Sequence, residues 1–214
     1  MRYSTLIPAI VLFTAPLHAQ LPHYDHIVVV MEENHSKTQI IGNRLDAPFI
    51  NALALRGVSL TNMAGITHPS QPNYLELFSG DAQSLLDDGK PGGLPFTTPN
   101  LAAALSAGGK TFVGYSEDLP APGDADTVMT FYPGGQDRYA RKHVPWTNWQ
   151  STANPRPANA LPPSVNQPFS AFPTDFNLLP DVAFVIPNEI NDMHSGRVAR
   201  GDRWIAARLG AYAR

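Results

Sequence analysis

The sequence predicts an α/β fold, a mainly parallel sheet with helices on both faces. Three observations carry this expectation. Ile27 to Met31, Thr111 to Tyr115 and Asp181 to Ile186 are short runs rich in apolar and β-branched residues, the pattern of strands buried on both sides. Between them lie segments with helix punctuation: a proline or capping side chain at the start, a glycine past the end. No internal repeat interrupts the alternation, and alternating strands and helices build a parallel sheet covered on both sides.

The elements follow in order. Arg2, the apolar run Leu6 to Phe13 and Ala19 have the layout of an export signal, so residues 1–19 are expected to be removed and the domain to occupy 20–214. The apolar run is far short of the ~20 residues that span a bilayer, and Pro8 and Pro16 argue against a buried first strand. After the strand at Ile27, Asp46 is placed to cap a helix running to Leu55, with Pro48 in its first turn and Gly57 beyond. Val58 to Met63 reads as a further strand. Ser70 opens a helix that Gly80 ends, and Thr98-Pro99 opens one that Gly108-Gly109 ends. From about 119 to 180 periodicity is lost among prolines, glycines and aromatics, the mark of a functional loop or a packed insertion. Tyr132, Tyr139, Trp146 and Trp149 there read equally as a lid over a leaving group or as packing. Asp202 is placed to cap a last helix, Arg203 to Tyr212.

Composition narrows the chemistry. The chain has 214 residues, 43% hydrophobic and 15% charged, with a formal net charge of −3. That is one domain able to bury a core, without the basic face that nucleic acid requires. It has no cysteine, which excludes thiolate metal sites and cysteine nucleophiles, so a metal must be held by oxygen and imidazole ligands.

In parallel sheets ligands sit beyond the carboxyl ends of the strands, and three polar clusters fall there. They are Glu32 to His35, Thr67 to Asn73, and Asn191 to His194. The Glu33 carboxylate and Asn34 amide suit a hard divalent cation, although such a pair also serves as a turn. Ser70 reads as a plain N-cap or as a hydroxyl placed where free helix amides attract a phosphoryl anion. Asp192, two residues from His194, can orient the imidazole or share a metal with it.

The blocks Val28-Val29-Val30-Met31-Glu32-Glu33-Asn34-His35, Thr67-His68-Pro69-Ser70-Gln71-Pro72-Asn73-Tyr74 and Asp181 to Pro187 with Asn191-Asp192-Met193-His194 occur in a telling order. Together they resemble the secreted phosphoesterases, bacterial and fungal acid phosphatases and phospholipases C within the alkaline phosphatase superfamily. The resemblance implies an alkaline phosphatase-like sheet and hydrolysis of phosphate esters through a phosphoserine. It implies a catalytic divalent cation on Glu33, Asn34 and Ser70, with Ser70 the nucleophile and Asp192 and His194 beside the phosphoryl group. His35 stands where relatives often carry arginine, and the role of His68 stays open. Relatives continue further, with another strand, acidic metal ligands and a later histidine, so the chain is expected to lack the C-terminal part and to leave a sheet edge exposed.

Small phosphate monoesters are thus the expected substrates, in a secreted or periplasmic protein without a membrane segment in its mature chain. A phospholipase C-type diesterase, and a phosphate-ester-binding domain without turnover, are the alternatives. A serine carboxyl esterase has least support, because Ser70 lies in His-Pro-Ser-Gln-Pro rather than Gly-x-Ser-x-Gly.

Overall fold

The computed structural model describes residues 23–213; the expected export signal lies outside them. A four-stranded parallel sheet forms the centre, in the order β1-β6-β2-β5: β1 is Ile27–Val30, β2 Phe112–Ser116, β5 Asn166–Pro168 and β6 Val182–Ile186. Between β2 and β5 a small antiparallel pair forms, β3 (Met129–Phe131) with β4 (Asp137–Ala140). The helices are α1 (Lys37–Ile40), α2 (Pro48–Ala54), α3 (Ser70–Ser79), α4 (Leu101–Ala107) and α5 (Val198–Leu209).

Strand alternation divides the core in two. Val29, Phe112, Phe184 and Ile186 meet Tyr74, Leu75 and Phe78 of α3 and the insertion's Trp146 and Trp149. Val28, Val113, Ala183 and Val185 meet Trp204, Ile205 and Leu209 of α5, with Phe49 and Ile50 of α2 beside them. The sheet is therefore covered on both faces, as its apolar runs predict. Among the described residues no helix is long and apolar enough to cross a membrane.

Four local expectations change. Val58 to Met63 forms no strand, and Val58, Leu60 and Met63 are 89%, 61% and 73% exposed. Apolar β-branched character makes a strand only where a neighbour completes the ladder, and no described strand lies beside this segment. The α4 helix starts later than Thr98, because Asn100 caps it: its side chain accepts from the Ala103 amide at 2.9 Å. The last helix starts earlier than Arg203, and Asp202 sits inside it. Its carboxylate instead accepts from the Phe49 and Ile50 amides at 3.2 and 2.8 Å. Asp202 thus caps α2 across the interface, while Asp46 is held by Asn43 and Ala47 stands at the N-cap.

The insertion is core as well as loop. Tyr139, Trp146 and Trp149 are buried, which decides for packing at these three, and the segment contributes β5 to the main sheet. Trp146 lies against Gly114 in mid-strand, where a Cβ would come 2.1 Å from its ring.

Candidate active site

The loops after β1 and β6 and the start of α3 meet at the carboxyl end of the sheet. The Glu33 amide donates to the Asp192 carbonyl at 2.7 Å, tying the two strand-end loops together. Ser70 is the first residue of α3, after Pro69 as N-cap, so its hydroxyl is free of the capping role. It donates instead to Glu33 Oε1 at 2.6 Å. Asn73 secures the approach to this turn, its Oδ1 accepting from the Ile66 amide at 2.8 Å.

The other Glu33 oxygen faces a residue that the motifs do not contain. His143, 1% exposed, comes from a short 3-10 turn of the insertion, Arg141–His143. Its Nε2 lies 2.5 Å from Glu33 Oε2, and its Nδ1 lies 3.4 Å from Glu189 Oε1 and 3.5 Å from Asp192 Oδ2. Tyr74 of α3 stacks on the imidazole, with centroids 4.9 Å apart. His194 closes the set: its Nδ1 is 2.8 Å from Glu189 Oε2, and its amide donates to Asp192 Oδ1 at 2.7 Å.

Of the residues expected from the sequence, Ser70, Glu33, Asp192 and His194 are thus brought together. Asn34 is exposed beside Glu33. His35 places Nε2 3.2 Å from the Met193 carbonyl, and exposed His68 makes no side-chain contact with the cluster. The first turn of α3 is less open to an anion than a bare helix start. The Gln71 amide is held by Asp88 Oδ1 at 2.9 Å, and Pro72 has no N–H to offer. His143 and Glu189 carry no local sequence signal. Each becomes visible only through its partners across the fold.

The charges shift one another. Burial works to raise the Glu33 carboxyl, but the contact and charge of His143 and the Ser70 hydroxyl hold it down at about 2. Burial opposes a charge on His143, yet Asp192, Glu33 and Glu189 raise it to about 9, so it is an imidazolium at neutral pH. Glu189 raises His194 against a smaller burial penalty. Asp192 is raised by burial, with His143 opposing. Glu32, behind Glu33, is pushed up to about 9 by burial and by the charges of Asp192, Asp202 and Glu117. It stays protonated at neutral pH.

Several of these buried atoms lack a well-aligned hydrogen bond. His143 Nε2, both Glu189 oxygens and Asp192 Oδ2 have none, despite the short approaches. Glu33, His143 and Asp192 each offer one ligand atom within 4.8 Å of the others. The carboxylate oxygens of Glu33 and Asp192 suit a divalent cation, and His143 joins them as a ligand only after giving up a proton.

A family model described as the phosphoesterase family matches residues 43–214. Among curated relatives, a phosphatidylinositol-3-phosphatase of Mycobacterium tuberculosis is 46% identical over 197 residues, 90% of this chain and 59% of the relative. An acid phosphatase of Aspergillus fumigatus is 30% identical over 71% of the chain and 33% of its own length. A phosphate-repressible acid phosphatase of Penicillium chrysogenum is 30% identical over 73% of the chain and 37% of its own length. The chain therefore spans 59% of the bacterial relative and about a third of the fungal ones. No solved structure matches it. A serine at a helix start against a strand-end carboxylate, and a family match over most of the sequence, lead to one assignment: the chain belongs to the phosphoesterase family.

Proposed function

We propose that the protein hydrolyses phosphate monoesters through a phosphoserine on Ser70. The observation that carries this reading is the 2.6 Å hydrogen bond from the Ser70 hydroxyl to Glu33 at the first residue of α3. A serine hydroxyl is a weak nucleophile until its proton is drawn away, and Glu33 is a carboxylate kept ionised by His143.

Attack by Ser70 Oγ on phosphorus forms the Ser–O–P bond and breaks the ester bond to the leaving group. Positioning and charge stabilisation are the main demands of such a transfer. His194, raised by Glu189, would donate a proton to the departing oxygen and take one from the water that releases phosphate. His143 keeps Glu33 and Asp192 in register.

Glu33, Ser70 and Asp192, with Asn34 adjacent, are the residues to hold a divalent cation. Bound there, it supplies Lewis-acid stabilisation of the nucleophile and the phosphoryl oxygens. The relatives named as phosphatases support hydrolysis. The charged start and apolar run of residues 1–19 support export.

Acid quenching during turnover of a chromogenic phosphate monoester, followed by peptide mass spectrometry, is expected to find phosphate on Ser70. Chelation with EDTA should abolish turnover and metal addition restore it. Undiminished turnover by the Ser70→Ala protein would remove the assignment.

A further inference from the structure

Beside the catalytic cluster a groove of about 820 Å³ opens along the start of α5. It begins where the site ends. Ser195, which follows His194, and Ile190, which follows Glu189, are in its wall, and so is His35. Its charge comes from Arg197, Arg200 and Arg203, spaced three residues apart so that they share a helix face. All three are exposed. None takes part in an ion pair among the described residues. Arg200 is aimed by one hydrogen bond, Nε to Asn191 Oδ1 at 2.9 Å, which leaves its terminal nitrogens unused. The groove's acid, Asp46, accepts from the neutral amide of Asn43 at 3.2 Å, so three arginines face one carboxylate there.

Three like charges on one face repel one another, and a shared anion relieves that repulsion. Guanidinium forks match the oxygens of carboxylate and phosphate alike, and the phosphate-ester reading of the adjoining site selects phosphate. We infer that this groove binds a second anionic group, a phosphate or phosphodiester, on the leaving-group side of the scissile ester. The inference rests on the reading of the chain as a phosphate-ester hydrolase and specifies its substrate class: esters with two anionic phosphorus groups rather than one.

The test is calorimetry on the Ser70→Ala protein with butyl phosphate and butanediol bisphosphate as probes. The bisphosphate should bind at least about tenfold more tightly. Changing both Arg197→Gln and Arg203→Gln should erase that advantage while altering butyl phosphate affinity little. Equal or undetectable binding of the two probes, or equal loss of both in the double variant, overturns the inference.

Co-sedimentation with phosphatidylcholine vesicles containing phosphatidylglycerol separates the sources. Retention that depends on Arg197 and Arg203 assigns the anion to a lipid headgroup. Preference for the bisphosphate without retention assigns a soluble ester. Failure to trap phosphoserine alongside an intact bisphosphate preference would count against the hydrolase reading and leave the anion site standing.

Discussion

A half-buried pair of carboxylates beyond β2 and a buried pair beyond β6 are treated in opposite ways. Glu117 is saturated: Oε1 accepts from Trp204 Nε1 at 2.8 Å, and Oε2 from the Asn188 amide and Asn191 Nδ2 at 3.0 and 2.8 Å. Asp118 beside it is paired with Arg138 and accepts from Asn188 Nδ2 at 2.7 Å. Glu189 and Asp192, in the loop after β6, share one imidazolium and retain oxygens without an aligned donor. A saturated carboxylate has no capacity left for a ligand, whereas an unsatisfied buried one keeps a standing cost that only function justifies. The difference separates carboxylates that tie the two strand-end loops together from carboxylates left open to a ligand.

The largest expected effect is at Glu33. Glu33→Gln removes the charge that faces both Ser70 and His143, so turnover should fall by about a hundredfold or more, with weaker metal binding by titration. Full activity with unchanged metal content would place the acceptor elsewhere.

Next is His143→Gln. It leaves Glu33 and Asp192 without their cation while Glu189 keeps His194, and breaking a buried ion pair by removing one partner typically costs about 3–5 kcal/mol. Urea denaturation should show a loss of that order. A loss under about 1 kcal/mol would mean that the carboxylates take up protons instead.

Glu117→Gln sharpens the comparison from the other side. One of its acceptors becomes a donor facing a donor, so about 1–3 kcal/mol of stability should go while metal affinity stays within a factor of about two. A change in metal binding as large as that of Glu33→Gln would erase the distinction between the two groups.

The smallest effect expected is on the pH dependence of melting in chelator. His143, raised from 6.5 to about 9, contributes stability that is complete below 6.5 and is lost as pH rises through 9. Glu32, raised from 4.5 to about 9, adds to this loss, since across that window the unfolded chain ionises it and the folded chain does not. Glu33, lowered from 4.5 to about 2, contributes above 4.5 and loses its share as pH falls through 2. The melting temperature should peak near pH 4.5, decline from there with Glu32 and fall more steeply between 6.5 and 9 with His143. A maximum above pH 7 would show that other groups dominate.

What the sequence made legible follows from where its signals are local. The strands at Ile27, Phe112 and Val182 announce themselves through runs of side chains that must all be buried. The Ser70 and Glu33 blocks are short enough to be read as motifs. His143 is not, because it stands 110 residues from Glu33 and in a stretch without periodicity. The asparagine-proline strand β5 is too short and too polar to be read at all. The segment Val58 to Met63 misleads for the converse reason: strand-forming residues do not carry their own pairing partner. Asp202 belongs with these. Its spacing names it as a cap, but only the packing of α5 on α2 says for which helix.

One feature of the sheet reaches further than its place suggests. Trp146, pressed against Gly114, is three residues from His143, and the same short turns carry both. The seat of the indole and the approach of the imidazole to Glu33 are thus built from consecutive turns of one segment. A methyl group at position 114 would act as a shim, lifting the turns and lengthening a 2.5 Å contact beyond the reach of the charges that define it. The packing beneath the His143 turn thus depends on an atom the protein omits, in a strand that contributes no side chain to the cluster.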